Sequence, residues 1–332
     1  MDISEEEKQK IREKVEKLKA SRFKQQTLPA WRPIPSFKST MITFTVFGLI
    51  FLALGIALYA MSEQIKEVSY QYDDDAICQA NLGNNKTCQV TLSVKEAIDA
   101  PIYVYYQLDN FYQNHRRYVK SRSFDQLKGK SLSTSEVQTD CDPIVRNKDI
   151  KPVLMSANGK RTLDPEAVAW PCGLVAKSVF NDYYALKDNK SGKDITIKTD
   201  GIAWESDKEY KFKNGNGDQS KGLAWDDVQW ANVEDEHFIV WMRTAGLPSF
   251  RKLWGRIEQR LEPGQYTLTI TNNYDVSSFE GQKSFVLSTT NALGGKNYFL
   301  AICYIVVGGL CIVFAFIFLF AFIKKRNSRH ND

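Results

Sequence analysis

Residues 41–61 read MITFTVFGLIFLALGIALYAM and residues 298–323 read YFLAICYIVVGGLCIVFAFIFLFAFI, with no Asp, Glu, Lys, Arg or His in either stretch. As helices they would extend about 31 and about 39 Å, enough to cross a hydrocarbon core of about 30 Å. These two runs exclude a soluble protein. The whole chain has 332 residues, 43% apolar and 25% charged, with a mean hydropathy of −0.36. It is neither disordered, collagen-like nor cysteine-dense in composition. The predicted layout is an arm over 1–40, a transmembrane helix over 41–61, a domain over 62–297, a second transmembrane helix over 298–323 and a tail over 324–332.

Charge then sets the topology. Residues 1–38 carry ten Lys and Arg against six Asp and Glu, and residues 324–332 carry four against one. The 236 residues between the spans carry 30 against 32. The basic excess therefore lies at the two ends, with Arg32 and Lys38 before the first span and Lys324, Lys325 and Arg326 after the second. Positive flanks stay cytoplasmic, which puts both termini in the cytosol and residues 62–297 in a lumenal or extracellular space. No basic stripe marks the large domain, so no nucleic-acid partner is expected. A cleaved signal peptide is the competing reading of the first run. Its apolar region is 7–15 residues after a short leader, whereas here about 40 residues precede a run of 21, so a signal anchor is the reading.

The cysteines agree. Cys78, Cys88, Cys141 and Cys172 fall between the spans, where disulfides persist, and Cys303 and Cys311 fall inside the second span as packing residues. Four cysteines allow three pairings, and proximity favours Cys78 with Cys88 and Cys141 with Cys172. Sequons at Asn85-Lys86-Thr87 and Asn189-Lys190-Ser191 make Asn85 and Asn189 candidate glycosylation sites.

Ser4-Glu5-Glu6-Glu7 is a capping-box pattern, and Ile11, Val15 and Leu18 follow at helical spacing. The spacing predicts a charged amphipathic helix from Ser4 to about Ala20, serving as a partner or membrane-surface helix or as a solvated arm. Pro29, Pro33 and Pro35 then stop any helix before the membrane. Within the large domain, strands are predicted at Gln89–Val94, Ile102–Gln107, Asp194–Lys198, Phe238–Met242, Tyr266–Thr271 and Ser284–Ser288. Short helices are predicted at Phe111–Ser121 and Pro248–Leu261. The expected fold is a two-span α-helical membrane protein with a large β-rich, antiparallel, sandwich-like domain carrying short helices.

Catalytic patterns are missing. Of three histidines only His115 and His237 lie between the spans, which excludes a three-His zinc site, and neither Cys-x-x-Cys nor His-Glu-x-x-His occurs. Asp73-Asp74-Asp75 lacks the rest of a calcium loop and reads as a solvated acidic run. No nucleophile elbow is present. Gly129-Lys130-Ser131 lacks the earlier glycine of a phosphate loop. Pairs such as Asp226-Asp227 and Glu234 with Glu236 are background for a polar domain. No catalytic residue, cofactor or metal site is expected.

Neither span carries a charged residue that would mark a transport pathway. Both carry small residues: Gly48 and Gly55, Ala53 and Ala57, then Ala301, Gly308 and Ala315. Small residues let helix backbones approach closely, so Gly48, Gly55 and Gly308 are candidate docking positions for a partner helix. Aromatic clusters at Tyr103-Val104-Tyr105-Tyr106, Phe111-Tyr112, Trp225, Trp230 and Trp241 read as core filling, with a sugar- or lipid-binding platform as the alternative.

Several longer segments carry a resemblance. Phe23-Lys24-Gln25-Gln26 through Leu28-Pro29-Ala30-Trp31 resembles the cytosolic signature of the accessory (beta) subunits of phospholipid-flipping P-type ATPases, the ligand-effect-modulator/cell-division-control family. Asn110-Phe111-Tyr112-Gln113-Asn114-His115-Arg116-Arg117-Tyr118, Pro171-Cys172-Gly173, Phe180-Asn181-Asp182, Gly201-Ile202-Ala203-Trp204 and Phe238–Arg243 with Leu247-Pro248 are similar to its lumenal motifs. Gly294-Gly295-Lys296-Asn297 meets the second span as in that family. The match runs in order from about Ser21 to Ile323. One departure is that many animal members have two further cysteines near the first pair, whereas Cys78 and Cys88 stand alone.

The resemblance implies a non-catalytic subunit in a heterodimer with the catalytic alpha subunit of a type-four P-type ATPase. It would act in membrane lipids, supporting the ATPase's stability, its export from the endoplasmic reticulum and its transport cycle. The resident membrane would be endoplasmic reticulum, Golgi, endosome or plasma membrane. Phe23, Gln25, Gln26, Pro29, Trp31 and Arg32 would touch the ATPase from the cytosol. A stand-alone membrane-anchored glycan- or lipid-binding module is the alternative, and an enzyme with an unrecognised site a more distant one.

Overall fold

The structure is a computed structural model that describes residues 5–28, 35–292 and 294–328. It divides into two compact units, one of residues 1–59 and 299–332 and one of Ala60–Tyr298.

Among the described residues the first unit contains three helices. The arm helix runs Glu5–Ala20, the first span helix Phe37–Glu63 and the second span helix Phe299–Ser328. In each span helix only 11% of the apolar window is buried. A core helix of a soluble protein would be covered by its own chain; these two leave most of their apolar surface for lipid or for another helix. The remainder is a seam between the two. Gly48, Gly55, Ala301 and Gly308 are buried in it, and Phe44 sits against Phe314 and Phe318, as Phe51 does against Tyr304.

The second unit is a sandwich of two four-stranded antiparallel sheets. Its strands are β1 Glu67–Gln71, β2 Thr87–Val94, β3 Ile102–Asp109, β4 Tyr183–Asp188, β5 Asp194–Ile195, β6 Phe250–Ile257, β7 Gly264–Thr271 and β8 Gln282–Ser288. One sheet has the order β1-β8-β3-β6 and the other β2-β7-β4-β5. Alternation explains the layering: β2 buries Cys88, Val90, Leu92 and Val94 while Thr87, Gln89, Thr91 and Ser93 face outward. Rings close the space between sheets, with Tyr106 stacked on Phe180 and Tyr184 edge-on to Trp254 and Phe285. The first and last strands pair, Glu67 opposite Ser288, and Asn297 N donates to Ser62 Oγ at 2.9 Å, so the two ends of the domain meet.

Long excursions between strands carry the short helices. Cys78 is bonded to Cys88 and Cys141 to Cys172. The first bond joins β2 to the helix Ala76–Ala80. The second lies in a satellite core with Val137, Val145 and Ala169.

Two predicted elements exchange types. Phe238–Met242, read as a strand, belongs to the helix Glu236–Met242, which begins where the Asp235 carboxylate accepts from Phe238 N. Phe238, Ile239, Trp241 and Met242 are all buried, so the segment is apolar on nearly every side and shows no helical period. Pro248–Leu261, read as a helix, holds β6. Leu253, Trp254 and Ile257 mimic a helical face because β3 and β6 shift register between Val104 and Tyr105, which breaks the two-residue alternation. The predicted helix Phe111–Ser121 shortens to Arg116–Lys120, and the strand Asp194–Lys198 to Asp194–Ile195 with a single bridge from Lys198 to Arg256.

Candidate functional site

Beyond the arm helix the chain doubles back. Thr27 N donates to Arg22 O at 2.8 Å and Gln26 N to Phe23 O at 3.1 Å, with Gln26 in the left-handed region at φ 54°. Gln25 Nε2 donates to Leu18 O at 3.0 Å, satisfying one of the carbonyls that the end of a helix leaves open. Gln25 thus closes the arm helix, and Phe23 is left 76% exposed at the turn. Pro29, Trp31 and Arg32 lie outside the described residues.

The structure places the span glycines between the chain's own two helices. A Cβ on Gly48 would lie 2.8 Å from Ile312 Cδ1, one on Gly55 2.9 Å from the backbone nitrogen of Ile305, and one on Gly308 2.9 Å from that of Leu52. At Gly55 and Gly308 a side chain would run into backbone and part the helices, whereas at Gly48 it would meet the side chains of Ile312 and Cys311.

Between the spans, the long motifs hold the domain together. Gln113 is fully buried; its Oε1 accepts from Ala245 N at 2.8 Å, and Asn114 Nδ2 donates to Gly246 O at 3.0 Å. Phe111 packs edge-on to Phe279 and Phe250 and tilts against Trp241. These bonds seat the 110–118 segment on the 244–248 loop and leave Tyr112 and Leu247 exposed beside His115, Arg116 and Arg117. Gly173 has φ 98°, and a Cβ there would stand 2.1 Å from Ser121 O, so only glycine fits next to Cys172.

Two charged nodes escaped the sequence reading. Asp182 and Lys283 form a buried ion pair at 2.8 Å. The Asp182 carboxylate also accepts from Tyr72 Oη at 2.7 Å and from the backbone nitrogens of Asn273 and Tyr274, both at 2.6 Å, while Lys283 Nζ donates to Asn272 Oδ1 at 2.5 Å. A buried charge is tolerable only with such a full set of partners. Glu236 accepts from the backbone nitrogens of Gly201, Ile202 and Ala203 at 3.1, 2.7 and 2.8 Å and from Lys208 Nζ at 3.1 Å. Burial would raise its pKa, but the amides of Ala203 and Gly201 and the Lys208 ammonium outweigh it and hold the carboxyl below its ordinary range. Asp182 and the Gly201–Ala203 amides lie on segments of the resemblance, whereas Lys283 and Glu236 lie outside them. Both nodes bind the fold rather than a substrate.

The acidic run is built in as well. Asp75 caps the helix Ala76–Ala80 through Ile77 N and Cys78 N and accepts from Tyr70 Oη, while Asp73 accepts from Lys283 N. Among the described residues no group of three or more His, Cys, Asp or Glu is placed to hold a metal ion. Trp241 and Tyr106 are buried, and Trp230 Nε1 donates to Pro171 O at 2.7 Å, so these aromatics fill space and anchor backbone. Asn85 and Asn189 are both exposed on loops, where Asn85 Oδ1 accepts from Asn273 Nδ2 and Asn189 Oδ1 from Thr267 Oγ1.

Three comparisons with known proteins bear on this arrangement. "ALA-interacting subunit 3" of Arabidopsis thaliana is 41% identical over 325 residues, covering 92% of this chain and 86% of its own. "Cell cycle control protein 50A" of Mus musculus is 39% identical over 341 residues, covering 92% and 89%. "Phospholipid-transporting ATPase accessory subunit CRF1" of Saccharomyces cerevisiae is 32% identical over 358 residues, covering 93% and 86%. The model of the LEM3 (ligand-effect modulator 3) family / CDC50 family matches residues 58–328, from the end of the first span helix through the second. The chain belongs to that family.

Proposed function

We propose that this chain is the non-catalytic accessory subunit of a phospholipid-transporting type-four P-type ATPase. The observation that carries this reading is end-to-end similarity to a relative named as such an accessory subunit, over 93% of the chain. The chemistry supports it: the charged clusters described are consumed by the fold, and the span helices carry no charged residue between Met41 and Met61 or between Tyr298 and Ile323. The pair forms a heterodimer in which the ATPase holds the nucleotide and the lipid path. The chain stabilises the ATPase, allows its export from the endoplasmic reticulum and supports its cycle at the Golgi, endosome or plasma membrane.

In this reading both termini are cytosolic and the sandwich is lumenal or extracellular with glycans on Asn85 and Asn189, which the basic ends and the disulfides Cys78–Cys88 and Cys141–Cys172 support. The outward faces of the welded span pair meet the ATPase's outer helices, with Gly48, Gly55 and Gly308 acting through the seam. The exposed rim of Tyr112 and Leu247 meets its short lumenal loops. Phe23, Gln25, Gln26, Pro29, Trp31 and Arg32 reach its cytosolic side.

Reconstitution tests this. Lipid-stimulated ATP hydrolysis and labelled-lipid translocation by the ATPase should require this chain, and Trp31→Ala or Arg32→Ala should lower both at normal complex yield. Full activity of a stable ATPase without the chain would refute the subunit role. Unchanged activity of both variants would refute the arm's part in it.

A further inference from the structure

The arm helix has a face that the described residues leave uncovered. Ile11, Val15 and Leu18 are 53, 41 and 44% exposed. At about 100° per residue they fall within an arc of about 60°. On the same count Arg12 and Lys19 stand about 80–100° to one side, and Lys14, Lys10 and Lys17 about 60–120° to the other. Glu13 and Glu16 lie at about 140–200°, opposite the apolar arc. Glu7, in the first turn where the helix dipole favours an acid, is the one described acid that breaks the pattern.

We infer that this helix lies in the interface of an anionic leaflet, with Ile11, Val15 and Leu18 among the acyl chains. A helix merely solvated in water has no reason to sort its charges by sign around an apolar stripe. A coiled-coil partner would need apolar positions sustained over three or four heptads, and this helix has 16 residues. The sorted pattern fits a lipid surface: flanking lysines and arginines bury their stems beside the apolar residues and raise their charges to the phosphates, while the acids face water.

The chain itself supplies the proximity. Residues 21–36 separate Ala20 from the span helix at Phe37, a reach of at most about 55 Å when fully extended. Binding is then intramolecular, so a stripe too short to recruit a free helix suffices for a tethered one. This inference concerns only the chain and lipid, and does not depend on the ATPase.

The test uses the full chain with Cys303→Ser and Cys311→Ser in nanodiscs of phosphatidylcholine with or without phosphatidylserine. A spin label is placed at Val15→Cys or at Glu16→Cys, and its accessibility to oxygen and to a water-soluble nickel chelate is read. With phosphatidylserine, the oxygen-to-nickel ratio should be severalfold higher at 15 than at 16. The difference should shrink without phosphatidylserine, and on combining Lys10→Glu, Lys14→Glu and Lys17→Glu. Equal access of the nickel chelate to both sites would place the helix in water. Shielding of both sites from both reagents would place it against protein. A ratio indifferent to phosphatidylserine and to the lysine changes would remove the anionic lipid. Any of these overturns the inference.

Discussion

Glu236, which reads as background acid in the sequence, shows how a residue outside the family's motifs can hold one of them, Gly201–Ala203. Its carboxylate gathers three consecutive backbone amides and one lysine, and so fixes the turn that begins the helix Glu205–Tyr210. Hydrogen bonds to a charged group contribute about 1.5–3 kcal/mol. Glu236→Gln should therefore destabilise the domain by about 1–3 kcal/mol at neutral pH. The sign with pH follows from the lowered pKa: the contribution is complete above the ordinary glutamate range and is lost as pH falls through the lower, folded value. Thermal unfolding of the two proteins should converge at acid pH; an unchanged gap there would mean that the charge is not what the turn uses. The disulfides belong to the same scale. With separations of 10 and 31 residues, chain-entropy reasoning gives about 2.7 and about 3.7 kcal/mol. Cys141→Ser should lower stability and export more than Cys78→Ser, which unfolding and glycan maturation would report.

Elements were legible in the sequence where their period was clean. The spans declared themselves by length and absence of charge. β2, β3 and β7 declared themselves by alternation, each with one fully buried face, and β8 by a short apolar run that is buried on both faces. The helix Glu236–Met242 and strand β6 exchanged types because their burial does not alternate simply: one is apolar on nearly all sides and the other is interrupted by a register shift. β1 and β4 were not anticipated. β1 has five residues and none fully buried, and β4 buries only Tyr184 and Leu186, so neither shows a sustained apolar alternation. The span seam is the element that invites direct test. A Cβ on Gly48 would lie 3.2 Å from that of Cys311. Gly48→Cys should thus form an oxidative cross-link to native Cys311, visible as two joined fragments after cleavage between the spans; Cys311→Ser should abolish it. Separate fragments from the Gly48→Cys chain would mean the helices do not meet there.

At the scale of the whole molecule, the motifs that identify the family and the surfaces that would serve its function are largely different residues. Gln113, Asp182 and Gly173 are spent on bonds and close contacts inside the domain. Among the described residues, exposed apolar surface includes the outer faces of the span helices, the arm-helix stripe, the turn carrying Phe23 and the Tyr112–Leu247 rim. The sequence made the family legible because motifs of this length are conspicuous; it could not distinguish a residue that holds the fold from one that meets a partner, since that depends on which side chains end up buried. A subunit built this way should be found with its ATPase rather than alone. The most direct measurement is to purify the tagged chain from its native membrane in mild detergent and weigh and identify what accompanies it by mass spectrometry. The account predicts a P-type ATPase at one copy per chain. A folded, glycosylated chain that emerges without any such ATPase would contradict it.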